Sequence, residues 1–271
     1  MKMRLIAAAV LLPLLLVLLL ALPVLVTVLA VGIVCALATY ELLWGTQLVK
    51  NVRLVSYTAL IAFLVPVWTF YGMSNVAAAL CVLIFAVALF VELLIGKGKV
   101  TFEKVSLCFT AGIVVPLLLC SLVRIMMGEE GRVYILLPFL LAFTSDSGAY
   151  FAGRFLGKHK LAPTISPNKT IEGVAGGVAG AVVGMLIFCV ILDLFFRFDV
   201  NYLFALSYGI LGSLAAVFGD LVFSAIKRQT GIKDYGHLIP GHGGILDRFD
   251  SMAIVAPLTE VLLLLIPFAV R

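Results

Sequence analysis

Charge is scarce in this sequence. Only 12% of its 271 residues are Asp, Glu, Lys or Arg, about half the share usual in water-soluble domains, while 63% are hydrophobic. A chain so poor in charge cannot cover its surface in water, which excludes a soluble globular protein and leaves an integral membrane protein. Polar stretches long enough for a separate soluble domain are missing too. The longest, 152–171 and 227–249, are connections rather than domains. The five cysteines, Cys35, Cys81, Cys108, Cys120 and Cys189, all sit inside apolar runs, and none forms a C-x-x-C pair. That argues against zinc and disulfide frameworks and for small buried hydrophobes. Internal repeats, low-complexity tails and Ser-rich linkers are absent by eye. The net charge of +5 suits anionic lipid surfaces and phosphate ligands, and no nucleic-acid partner is expected.

Long apolar runs are what the chain does have. Nine are of spanning length, near 5–22, 24–44, 54–71, 75–95, 106–126, 133–151, 172–193, 202–226 and 250–270. Pro23 and the lack of charge from Leu5 to Tyr40 favour a tight helical hairpin at the start, because this stretch is too long for one crossing. The first run does not read as a cleaved signal peptide. Basic residues set the orientation. With the N-terminus inside, Lys2, Arg4, Lys50, Arg53, Lys97, Lys99 and Lys104 face the cytoplasm, as do the cations of loops 152–171 and 227–249. Of the 19 basic residues only Arg124, Arg132, Arg197 and Arg271 fall outside. The fold expected is an all-α polytopic membrane protein with about nine transmembrane helices, N-terminus cytoplasmic and C-terminus outside. Residues 1–130 carry no catalytic motif, and 131–271 hold the motif-bearing region, the two forming one membrane unit. Gly176, Gly180 and Gly184 recur on one helix face, as close helix packing in lipid requires.

Three constellations carry chemistry. In the first, Asp146 ends an apolar helix with Tyr150 and Arg154 on the same face, and a carboxylate at that depth is a functional candidate. The loop beyond it, with Ser166 and Lys169, is basic and rich in hydroxyl and amide groups. In the second, Asp220, Ser224 and Lys227 lie in line along one helix, followed by Arg228. The third runs from Gly241 through His242, Gly243 and Gly244 to Asp247, Arg248 and Asp250, with Lys233 and Asp234 upstream of it in the same polar stretch. Its glycines let backbone N–H groups approach an anion, and its carboxylates suit magnesium, which usually takes one or two of them. Glu41 and Glu92 read as helix-end residues at the interface, and Glu260 lies deeper in its run.

Two of these stretches resemble a known family. Ser224 to Asp250 has the form S-x-I-K-R-x4-K-D-x-G-x2-I-P-x-H-G-G-I-x-D-R-F-D, and Ser145 to Gly173 the form S-D-S-x-A-Y-x2-G-R-x2-G-K-x2-L-x-P-x-I-S-P-x-K-T-x-E-G. Both are similar to motifs of the phosphatidate cytidylyltransferases, the CDP-diacylglycerol synthases. The N-terminal half has no matching motif. The resemblance implies that CTP and phosphatidic acid give CDP-diacylglycerol and pyrophosphate, with magnesium, in phospholipid synthesis. It also implies a multi-pass plasma-membrane enzyme facing the cytoplasm among membrane lipids and working as a homodimer.

Reading residues and resemblance together gives each side chain an expected role. Asp220 and Asp247 hold the metal, with Asp146 as a third ligand or a partner behind them and room for a second cation. Lys227, Arg228, Lys233 and Arg248 stabilise the triphosphate and the leaving group. Gly243 and Gly244 add N–H donors, and Asp234 and His242 contact substrate. Arg154 and Lys169, with Ser166 in the same loop, take the lipid phosphate. The alternatives are a CTP-dependent polyprenol or lipid kinase, which would release CDP, and an ion-coupled transporter.

Overall fold

The computed structural model describes residues 12–72, 74–238 and 243–270. Seven helices among the described residues are long and apolar enough to cross a membrane. They are α1 (Val24–Gly45), α2 (Val52–Phe70), α3 (Asn75–Ile95), α4 (Phe102–Met127), α5 (Gly131–Phe155), α6 (Ile171–Phe196) and α7 (Tyr202–Gln229). All seven coincide with apolar runs read from the sequence, so the protein is a mostly helical, polytopic membrane protein.

The first and last of the nine predicted runs differ from the rest. Residues 12–20 are helical and the chain breaks at 21–23, just before α1. Thr27 Oγ1 donates to Leu18 O at 3.0 Å, and Arg132 Nη1 to Leu20 O at 2.7 Å, which ties this hairpin together. The start of that run, with Lys2 and Arg4, lies outside the described residues. The last run, 250–270, contains only the helix Met252–Leu265 (α9 below). Its 14 residues rise about 21 Å, against about 30 Å of hydrocarbon. The chain then turns extended.

By its contacts the chain divides into two compact units. The first holds everything up to Arg132 together with Gln229–Phe249, which includes the one-turn helix α8 (Leu246–Phe249). Its core is α1 against α2 and α4. Both α1 and α4 contain a wider π-type turn, at Glu41–Gly45 and Thr110–Val114. Such a turn re-aims the side chains it carries. Thr39 Oγ1 donates to Ala111 O at 2.7 Å beside the second of these. Glu92, buried in α3, takes Arg53 Nε at 3.2 Å, so it is paired rather than simply interfacial.

The second unit holds Val133–Arg228 and Asp250–Arg271, including α9. Here α5 and α6 pack face to face on their glycines. A Cβ on Gly176 would fall 2.1 Å from Ala152 Cβ, and one on Gly180 2.6 Å from Thr144 O. The packing reading of that stripe is thereby borne out. Between α5 and α6 the strands β1 (Lys160–Ala162) and β2 (Ser166–Thr170) form an antiparallel hairpin. At the opposite end of α7, β3 (Asp199–Val200) pairs with β4 (Ala269–Val270), so the chain is not purely helical. Tyr134, Tyr208 and Phe268 cluster there, and the two tyrosine hydroxyls donate to Ala269 O and Ile266 O. Four of the cysteines are buried, Cys81 is half-buried, and none of the five is in a disulfide.

Candidate active site

Each unit gathers part of the charged sequence. In the second unit Asp220 sits on α7, with one carboxylate oxygen against Lys169 Nζ at 2.5 Å. The other accepts from Ser224 Oγ, one turn on, at 3.0 Å. The predicted line of Asp220, Ser224 and Lys227 is therefore real, and Lys227 is buried at its end. Lys169 arrives from the β1–β2 hairpin, which Arg228 steadies by donating Nε to Ile165 O at 3.1 Å. Arg154 is turned to Tyr150, whose hydroxyl it meets at 2.7 Å. Ser166 opens β2. The hairpin is held at its base by Glu172, which accepts from the backbone N–H of Lys158 and from His159 Nδ1.

Asp250 is buried in the turn ahead of α9, outside the seven spans, with Ser251 N–H donating to its Oδ1 at 2.7 Å. It stands there because Gly219, next to Asp220, has no side chain: a Cβ would meet Asp250 O at 2.8 Å. Burial pushes the Asp250 carboxyl up to about 7. The charge of Asp220 adds to that rise and Asp146 adds less, while Ser251 N–H and Lys227 oppose it. Asp146, Asp220, Asp250 and Lys227 thus share one electrostatic neighbourhood. The sequence motif contained Asp250, but nothing in the spacing marked it as the buried member.

The raised carboxyl has a consequence for stability. The folded state holds the Asp250 proton more tightly than the unfolded chain does. Its stabilising contribution is therefore complete below the ordinary carboxylate value and is lost as pH rises through about 7. Protein stripped of divalent cations is expected to melt at a higher temperature at pH 5.5 than at pH 8. Asp250→Asn should flatten most of that difference. An unchanged pH profile in the variant would dismiss this account.

In the first unit the Gly-rich segment is folded around two buried carboxylates. Asp247 Oδ2 accepts from Tyr235 N–H at 2.8 Å and Gly244 N–H at 3.0 Å. Glu41, on the π turn of α1, accepts Ile245 N–H at 2.9 Å on Oε1 and Leu246 N–H at 2.7 Å on Oε2. Glu41 is 5% exposed, which corrects its reading as an interfacial helix end. The glycines are required by these contacts. A Cβ on Gly244 would lie 2.4 Å from Glu41 Oε2, and one on Gly236 2.5 Å from Oε1. Gly243 adopts φ +83°, a left-handed conformation that favours glycine. Lys233 and Asp234 are exposed on this loop, and Arg248 is exposed on α8. His242 lies outside the described residues. Sequence reasoning missed Glu41 because its partners stand about 200 residues away. The one signal was a carboxylate inside an apolar run.

Among the described residues no three His, Cys, Asp or Glu side chains are grouped to ligate one metal ion. The acidic cluster of the second unit nonetheless fits magnesium. It sets the buried carboxyl of Asp250 and the half-buried carboxylate of Asp220 in one neighbourhood with Lys169 and Lys227, and magnesium usually takes only one or two carboxylates.

A family model described as the cytidylyltransferase family matches residues 2–266. The chain belongs to the cytidylyltransferase family. It is 36% identical over 252 residues to a phosphatidate cytidylyltransferase of Bacillus subtilis, covering 90% of each chain. It is 46% and 47% identical over 136 residues to proteins of the same name from Staphylococcus saprophyticus and Staphylococcus haemolyticus. In both staphylococcal matches the chain spans about half the relative's length, 51%. Family membership covers the N-terminal half as well, where the sequence motifs were silent, and Glu41 ties that half to the Gly-rich segment.

Proposed function

We propose that this member of the family transfers the cytidylyl group of CTP to phosphatidic acid, releasing pyrophosphate. An oxygen of the lipid phosphate attacks the α-phosphorus of CTP, and the bond to the bridging oxygen of the leaving pyrophosphate breaks. The nucleophile is already anionic, so no serine or cysteine has to be activated. What the protein must supply is alignment and neutralisation of charge. The observation that carries this reading is the acidic pair Asp220 and Asp250 flanked by Lys169 and Lys227, in a chain of this family.

Magnesium, when bound, supplies positive charge to the triphosphate oxygens, and Asp220 and Asp250, with Asp146 behind them, are the residues we assign to it. Asp247 keeps its place as a proposed magnesium ligand on the motif alone. Lys169, released from Asp220, and Lys227 are left to meet phosphate. Arg154 and Ser166 are proposed on the lipid side, and Arg228, Lys233, Asp234, His242, Gly243, Gly244 and Arg248 on the nucleotide side. Nine crossings, a cytoplasm-facing site in the plasma membrane and a homodimer belong to the same proposal. The Glu41 bonds support part of it. They join the end of α1 to the 229–249 loop, which is consistent with both lying on the side that the basic residues favour.

The test is chemical. Detergent-purified protein, given CTP labelled in the α-phosphate, magnesium and phosphatidic acid, should move label into lipid and release one pyrophosphate per lipid labelled. Release of CDP, with label left in the nucleotide, would identify a kinase instead.

A further inference from the structure

We propose that a cleft in the first unit, between the end of α1 and the segment 232–238, is the subsite for the cytosine base of CTP. This rests on the cytidylyl-transfer reading. The cleft has a volume of about 590 Å³, ample for a nucleoside. Tyr40 and Trp44, one turn apart, line one wall. Their ring planes lie within 13° of each other with centroids 6.4 Å apart, and Tyr40 is 46% exposed. Two near-parallel aromatic faces left open to a cleft suit a planar heterocycle, because base–aromatic stacking needs only a flat π surface.

Stacking does not distinguish bases; the polar rim does. Lys233, Asp234 and His237 line the same cleft. Cytosine presents an exocyclic amine that a carboxylate accepts, and uracil presents a carbonyl there that a carboxylate repels. Among the described residues, Asp234 is the rim carboxylate that the loop backbone does not engage in the way it engages Glu41. Lys233 and His237 supply donors for the ring carbonyl and the phosphates. Leu37, Ile232 and Leu238 also line the cleft, so it is these three polar side chains that would select a base over an acyl chain.

The cleft is also held in shape. Glu41 forms part of it while both its oxygens are bound to Ile245 and Leu246 N–H. Tyr235, another lining residue, donates its N–H to Asp247. Gly45 lets the Tyr235 carbonyl approach so closely that a Cβ would stand 2.4 Å from it. The wall of the cleft is therefore bonded, through Tyr235 and Glu41, to the segment that carries Gly243, Gly244 and Asp247. A base seated on Tyr40 and Trp44 would lie beside the backbone that the motif devotes to phosphate. Preformed walls of this kind reduce the ordering cost of binding.

The chain has two tryptophans, Trp44 and Trp68, which makes the test direct. In Trp68→Phe, titration with CTP and magnesium should quench the remaining tryptophan emission. Trp44→Phe should abolish the quench and keep the KM for CTP within about threefold of wild type, since a ring is retained. Trp44→Leu should raise that KM roughly tenfold, the equivalent of one stacking contact, with the KM for phosphatidic acid unchanged. Asp234→Asn should lower the preference for CTP over UTP at least tenfold. The subsite is overturned if CTP leaves Trp44 emission unchanged in Trp68→Phe. It is also overturned if Trp44→Leu raises the KM for phosphatidic acid instead, which would give the cleft to the lipid. If Trp44→Leu does not fold, the Trp68→Phe titration and the Asp234→Asn ratio still decide. Wild-type turnover separates the two claims. Lipid labelling with no quench removes the subsite alone, and a quench with no labelling removes the cytidylyl-transfer reading alone.

Discussion

Asp220→Asn is expected to lower turnover about a thousandfold while leaving the protein folded, the scale of loss seen when preorganised electrostatic stabilisation is removed. Asparagine keeps the shape of the side chain and an oxygen that can still accept from Ser224 Oγ, which lies 3.0 Å away. It loses the charge that holds Lys169 at 2.5 Å and that adds to the rise which burial imposes on the Asp250 carboxyl. Two changes follow besides lost activity. Lys169 is released from its partner, and the Asp250 carboxyl falls towards its ordinary range. Pyrophosphate release at saturating magnesium, CTP and phosphatidic acid measures the first effect, and the pH dependence of melting measures the last. Size-exclusion profiles and melting temperature near those of wild type would show that folding is intact. Turnover within tenfold of wild type would sink the assignment of Asp220 to the reaction centre.

Glu41→Ala is expected to have the second-largest effect, through position rather than chemistry. The carboxylate takes two backbone N–H groups, of Ile245 and Leu246, in a buried setting. Removing it leaves both donors without that acceptor and opens space beside Gly236 and Gly244, whose missing Cβ atoms were dictated by it. The cost is roughly 2–5 kcal/mol, concentrated in the 229–249 segment. The melting temperature should fall by several degrees. Trypsin should cut faster after Lys233 and Arg248, and the KM for CTP should rise. Glu41→Gln, which offers one acceptor oxygen and turns an amide donor towards the other N–H, should lie between the two. Wild-type trypsin resistance in Glu41→Ala would show that the loop does not depend on this anchor.

These two residues differ in how visible they were beforehand. Asp220 is legible because its partners on α7 are a local matter: a helix places residues four and seven apart on one face, so Ser224 and Lys227 follow from spacing. The seven spans are legible for a similar reason, since about twenty apolar residues in lipid have few alternatives to a helix. Gly176 and Gly180 announced close packing by their repeat. The partner across from them, Gly148 on α5, did not. The two ends of the span assignment were harder. Residues 250–270 are apolar enough to suggest a crossing. The β3–β4 pairing that follows the short α9 depends on residues 199–200, about seventy positions before their partners at 269–270.

What the sequence determined by itself is therefore the membrane setting, most of the helices, the family and the residue types of the site. Each of those depends on composition or on spacing within one segment. Only the tertiary structure decided that Lys169 pairs with Asp220, that Asp250 is the carboxyl raised by burial, and that Glu41 anchors the Gly-rich loop. Those facts are set by which side chains meet after the chain has closed large loops. Burial and charge then act through distances that no local pattern records.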